Sequence, residues 1–187
     1  MRLFFDSNML TYIALFEGFL IEGDVELPSE VAFWTEVQRQ PPDDNVMREV
    51  HALRALYAVD EQARFDFLYS DLGFEEILVI QDARKRAAHG GLLGRIIEHR
   101  RDVYSEEGRR DVAAQREAMF APWSAQLPNR MHTDGRQYAE SEVVESDYFL
   151  TNDGGFITRA ERLGVRVLAC RPSDLPFLRE YGIRPRA

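Results

Sequence analysis

The clearest pattern in the chain is a short apolar run that ends at an aspartate and continues as a helix. Residues 2–5 are mostly apolar, Asp6 ends the run, and the apolar positions from Met9 to Phe16 then follow the spacing of a helix. Asp6-Ser7-Asn8 supplies residues that favour a helix N-cap. We therefore predict a strand that leads into a helix, with Asp6 at the carboxyl end of the strand.

The rest of the pattern alternates helices with strands. It predicts strands at 64–69, 148–150 and 166–169, and helices at 29–40, 45–59, 71–88, 92–104, 108–120, 133–145 and 155–163, with a short terminal helix from Ser173. Parallel strands need crossover connections, which are usually helical. We therefore expect a three-layer α/β/α sandwich around a central parallel sheet of four or five strands, with extra helices.

The length of 187 residues favours one domain over residues 1–187. Within that domain we expect a helical insertion at about 22–62, interrupted by the breaker Pro41-Pro42-Asp43-Asp44. Long charged helices are expected at about 90–120.

Composition narrows the class of protein. With 45% hydrophobic and 29% charged residues, the sequence is that of a globular protein. Its apolar stretches are far shorter than the roughly 20 residues that cross a bilayer, and no signal-peptide pattern is present, so we expect a cytoplasmic protein without a membrane partner. Cys170 is the only cysteine, which excludes an internal disulfide and a cysteine-based zinc site.

The net charge of −9 hides an uneven distribution. Residues 17–62 hold eleven acids and three arginines, whereas residues 84–116 hold nine basic residues and five acids. The second segment is a candidate nucleic-acid surface, with Arg84, Lys85 and Arg95 as its candidate contacts. The alternative interpretation is that these charges lie on solvated helix faces.

Aspartates follow two of the predicted strands, Asp6 after residues 2–5 and Asp153 after residues 148–150. If these strands are neighbours in a parallel sheet, both carboxylates lie at the same edge and repel each other unless a cation compensates them. Mg²⁺ prefers carboxylate oxygen and water. Glu76 and Asp134, near the starts of the helices at 71–88 and 133–145, are placed to join them.

The same segments resemble the acidic motifs of PIN-domain proteins. The run Leu3-Phe4-Phe5-Asp6-Ser7-Asn8-Met9-Leu10 is similar to the opening of the family, and 134–140 and 147–156 are similar to its third and fourth acidic motifs. The run Tyr69-Ser70-Asp71-Leu72-Gly73-Phe74-Glu75-Glu76 resembles the segment with the second acid, where Glu76 is preferred and Glu75 is the alternative.

The resemblance implies a Mg²⁺ or Mn²⁺-dependent endoribonuclease that cleaves single-stranded or structured RNA. It implies that Asp6, Glu76, Asp134 and Asp153 bind the metal and act in catalysis, with Asn8 and Thr151 as hydrogen-bonding support. Because many family members are toxins of toxin–antitoxin pairs and many dimerise, it also implies an antitoxin-like protein partner and a homodimer. The helical stretch at 22–62 and the charged helices at 90–120 depart from compact members.

Other interpretations remain open. Asp6 and Asp134 could serve only as helix caps, and Asp153 only as a turn residue. A haloacid-dehalogenase-like phosphatase would need a second aspartate at position 8, which is asparagine. A non-catalytic PIN-like module that binds RNA or protein is the remaining alternative, although clustered carboxylates without a metal would cost stability.

Overall fold

Four short strands form one all-parallel sheet in the computed structural model, which describes residues 1–22, 26–63, 65–83, 86–87, 89–90 and 106–181. The strands are β1 (Arg2–Phe5), β2 (Asp66–Tyr69), β3 (Tyr148–Leu150) and β4 (Leu168–Cys170), in the order β2-β1-β3-β4. The two central strands, β1 and β3, pair with Phe5 opposite Leu150. The predicted α/β class with a parallel sheet is confirmed.

Helices connect the strands and cover both faces of the sheet. They are α1 (Ser7–Leu15), α2 (Leu27–Gln38), α3 (Asp44–Ala63), α4 (Asp71–Leu78), α5 (Glu106–Phe120), α6 (His132–Val143) and α7 (Gly154–Ala160). Short 3₁₀ turns follow at Ala121–Trp123, Asn129–Met131, Pro172–Asp174 and Pro176–Tyr181. Among the described residues, no helix has both the length and the apolar character needed to cross a membrane.

Alternation along the strands divides the core into two layers. Leu3, Phe5 and Leu150 pack with α1, α2 and α3 on one face, whereas Phe4 and Phe149 pack with α5, α6 and α7 on the other. Successive side chains of a strand point to opposite faces, so a strand buried on both faces is apolar throughout. This is the expected three-layer arrangement.

Several predicted boundaries differ by a few residues from the structure, and two of the differences have a clear cause. The helix predicted over 71–88 is interrupted after Leu78, where Ile80 lies outside the helix and packs against the first core layer, and residues 83 and 86–87 are helical again. The strand predicted over 166–169 starts only at Leu168, since the backbone of Val167 bonds to side chains instead. Its N–H donates to Glu142 and its carbonyl accepts from the Tyr138 hydroxyl. The helix predicted over 92–104 lies outside the described residues.

Candidate active site

Asp6 and Asp153 both begin helices at the carboxyl edge of the sheet. Asp6 Oδ1 accepts a hydrogen bond from the Met9 N–H at 2.8 Å and caps α1. Asp153 Oδ1 accepts from the N–H groups of Gly155 at 2.7 Å and Phe156 at 3.0 Å and caps α7. The capping interpretation is therefore correct for Asp6, and Asp153, interpreted as a turn residue, is a helix cap as well, whereas Asp134 lies in the first turn of α6 and does not cap it. Because β1 and β3 are parallel neighbours, the two aspartates that cap these helices also lie at the same edge of the sheet.

Thr151 joins these two aspartates. Its buried hydroxyl accepts a hydrogen bond from the Asp153 N–H at 3.1 Å and donates one to the Asp6 carboxylate. The Asn8 side-chain amide reaches Asp6 Oδ2 at 3.5 Å. The two supporting residues chosen from the sequence thus lie against Asp6.

Glu76 and Asp134 enter from α4 and α6, and Gln137 connects their helices. The fully buried Gln137 amide donates to Glu76 Oε2 at 3.3 Å and to Ser7 Oγ at 3.4 Å. Its Oε1 accepts from the Ser7 N–H at 3.4 Å. Glu76 therefore faces the cluster, whereas the side chain of Glu75 is exposed.

Burial and mutual repulsion raise the pKa values of two of these acids. Removal from water raises the pKa of the fully buried Asp6 to about 7, and the charge of Asp134 adds to the effect. Burial, then the charges of Glu76 and Asp153, raise the pKa of Asp134 to about 6. Asp134 is thus electrostatically coupled to each of the other three acids. The structure brings all four predicted acids into one region.

The donor set suits a hard divalent cation, although the carboxylates are not arranged as a finished cage. All four groups offer oxygen, which Mg²⁺ and Mn²⁺ prefer, and a cation would relieve the repulsion that raises the pKa values. Within the described part of the chain, no group of three His, Cys, Asp or Glu side chains is arranged so that it could hold a metal. Binding would therefore require the carboxylates to rotate toward a common point.

Two further residues at this edge were not predicted from the sequence. Gln137 lies one helical turn after Asp134, and that spacing is the only local sign of its role. Arg171 directly follows β4, and an added Cβ at Gly154 would lie 2.5 Å from its Nη2. Arg171 also pairs with Asp174 at 3.7 Å. The positively charged guanidinium group of Arg171 therefore lies beside the start of α7.

The three candidate nucleic-acid contacts lie outside the described residues: they are Arg84, Lys85 and Arg95. The neighbouring Arg86 is exposed and donates to the carbonyl of Ile80 at 3.1 Å. Their contact with RNA stays a prediction.

Comparison with known proteins identified no relative of this chain. No protein-family model matches the chain, and searches of curated proteins and of solved structures give no significant match. The resemblance to PIN-domain proteins therefore stands on the motifs around Asp6, Glu76, Asp134 and Asp153.

Proposed function

We propose that the protein is a Mg²⁺ or Mn²⁺-dependent endoribonuclease that hydrolyses phosphodiester bonds at the cluster of Asp6, Glu76, Asp134 and Asp153. The observation that carries the proposal is that Asp6 and Asp153 follow neighbouring parallel strands, while Gln137 connects the helices of Glu76 and Asp134 to the same edge. Repelling carboxylates reduce stability unless a cation compensates them, so their convergence favours a metal-binding role over a purely structural one.

The chain's own residues divide into those that would hold a metal and those that orient them. The four acids would bind the metal, which when bound would neutralise phosphate charge and lower the pKa of a hydrolytic water. Thr151 and Asn8 hold the Asp6 carboxylate, and Gln137 holds that of Glu76. Such outer hydrogen bonds fix the direction of the ligands before substrate arrives.

A positive group at the same edge would favour a phosphate substrate. Arg171 lies beside the start of α7, and arginine binds phosphate oxygens. The motif resemblance points to RNA, single-stranded or structured, as the substrate.

The proposal includes a toxin role with an antitoxin-like protein partner. It also includes a homodimer and a cytoplasmic location. The cheapest test of the toxin role is the gene order, since a small gene for a partner protein immediately upstream would favour it. A non-catalytic module that binds RNA or protein is the competing function.

Cleavage of a labelled single-stranded RNA in Mn²⁺ separates these functions. Loss of outer hydrogen-bond partners of metal ligands costs about 10–100-fold in activity, so losing a ligand in Asp153→Asn or Asp134→Asn should cost at least about 100-fold. Asp44→Asn, at an exposed position of α3 outside residues 84–116, is the matched control and should cleave at the parental rate. Cleavage by Asp153→Asn at the parental rate, or parental cleavage that persists in EDTA, would contradict the proposal.

A further inference from the structure

A polar cavity opens beside Asp153, between α1, α2 and the loop after β3. Its volume is about 440 Å³, and its walls include Asn8, Tyr12, Trp34, Gln38, Asn152 and Asp153. Cavities that bind small organic groups usually measure about 300–1,000 Å³. Because Asn8 and Asp153 belong to both, the cavity is continuous with the acidic cluster.

The cavity wall is rich in neutral hydrogen-bonding groups. Asn8, Gln38 and Asn152 offer amides that both donate and accept, and Tyr12 offers a phenol. Asn152 donates to the Tyr12 hydroxyl at 2.6 Å. Burial raises the pKa of Tyr12 to about 12, so the phenol keeps its proton at neutral pH. Apart from Asp153, the residues lining this cavity in the described structure carry no charge.

Trp34 contributes an unused donor and a rigid wall. It is 5% exposed, and its buried indole N–H has no hydrogen-bond partner among the described residues. A buried donor without a partner is costly, and most such groups in proteins are paired. The Trp34 ring packs edge-to-face on Tyr12 at 5.5 Å and against Phe16 at 5.3 Å. These contacts hold the aromatic wall in one orientation.

We propose that this cavity binds a nucleobase of the RNA, that of a nucleotide next to the cleaved bond. The inference rests on the proposed ribonuclease function and names the part of the substrate that the site would recognise. A nucleobase is planar, uncharged and edged with donors and acceptors, which matches a cavity lined by amides, a phenol and the Trp34 side chain. A phosphate fits poorly, because the lining includes the carboxylate of Asp153 and no lysine or arginine.

Nucleoside binding tests this inference without metal or catalysis. The probes are adenosine, guanosine, cytidine and uridine, each dialysed to equilibrium against the metal-free full chain. We expect one nucleoside to bind best and Gln38→Leu to weaken it by about 10-fold, the effect of losing one good hydrogen bond. Gln126→Leu is the matched control, since Gln126 is exposed, lies outside residues 84–116 and does not line the cavity. Thermal unfolding of both variants verifies that they fold.

The cleavage pattern on RNA of mixed sequence gives the second readout. The parent should prefer one base beside the cleaved bond, and Gln38→Leu should reduce that preference about 10-fold, whereas Gln126→Leu keeps it. Equal nucleoside binding by Gln38→Leu and Gln126→Leu overturns the inference, and so does RNA cleavage by the parent without a base preference. A parent that binds a nucleoside through Gln38 but cuts no RNA overturns the ribonuclease function and leaves the nucleobase site.

Discussion

Asp6 serves two purposes with one side chain. Its Oδ1 caps α1, while its burial beside Asp134 raises its pKa to about 7. In water the pKa of an aspartate is about 3.8. Because its pKa in the fold is about 7, keeping the Asp6 carboxylate charged at neutral pH costs stability. Asparagine would cap the helix without this cost, so a buried aspartate with a raised pKa is what a metal-binding or catalytic role would explain.

The pH dependence of stability should reveal this cost. The folded-state pKa of Asp6 lies above its unfolded value of 3.8, so its contribution to stability is fully present below pH 3.8 and is lost as pH rises through about 7. Asp134 behaves likewise up to about pH 6. In EDTA, Asp6→Asn should therefore gain stability relative to the parent between pH 5 and pH 8, on the order of 2 kcal/mol.

Urea denaturation at pH 5 and at pH 8 measures this difference. Asparagine caps helices about as well as aspartate, so the variant keeps the bond to the Met9 N–H. If the free energies of unfolding of the parent and of Asp6→Asn differ by the same amount at both pH values, the charge of Asp6 does not destabilise the fold.

Neighbouring glutamates on α4 provide a matched pair of variants. Glu76 contacts Gln137 and is coupled to Asp134, whereas Glu75 is exposed. Glu76→Gln removes a proposed metal ligand and should lower Mn²⁺-dependent RNA cleavage at least about 100-fold, and Glu75→Gln should leave it within about 2-fold of the parent. The opposite ranking in a cleavage assay at saturating Mn²⁺ would assign the second acid to Glu75.

At the scale of elements, close packing of α5 against α6 fixes the position of Asp134. Gly135 follows Asp134, and an added Cβ there would lie 2.6 Å from Leu127 and 2.7 Å from Phe120. A buried network also holds these helices: Glu140 of α6 accepts from Ser70 at 2.6 Å and from Arg116 of α5 at 3.0 Å. Asp134 is therefore presented from a tightly fixed helix start.

Gly135→Ala should disturb this packing. The methyl group would collide with Leu127 and Phe120, and overpacking of this kind costs about 1–3 kcal/mol. Gly73→Ala is the control, because its Cβ would meet Leu10 at an ordinary 3.4 Å and alanine favours a helix. Thermal unfolding should rank Gly135→Ala well below Gly73→Ala, and equal midpoints would show that α6 moves freely.

The elements differ in how far the sequence predicts them. Asp6 and Asp153 were predictable because a strand, an aspartate and a helix follow one another locally, and the fold then brings β1 and β3 side by side. The choice of Glu76 over Glu75 and the role of Gln137 depend on contacts about 60 residues apart. The early end of α4 depends on the packing of Ile80, which local spacing does not encode.

Across the whole molecule, the parallel sheet explains how an acidic protein could act on a polyanion. The net charge of −9 opposes RNA binding, but the acids of the cluster lie where strand ends and helix N-termini meet. A divalent cation at that edge would offset much of the local negative charge. The proposed reaction therefore requires acids of the cluster to share a cation.

A crystal soaked in Mn²⁺ gives the sharpest test of a shared cation, because the anomalous signal locates the metal independently of activity. We expect a strong anomalous peak about 2.0–2.3 Å from carboxylate oxygens of Asp6 and Asp153, with Asp134 or Glu76 as a further ligand. A well-ordered crystal with no peak in the cluster, or with Asp6 and Asp153 still bound only to their cap and Thr151 partners at saturating Mn²⁺, would contradict it.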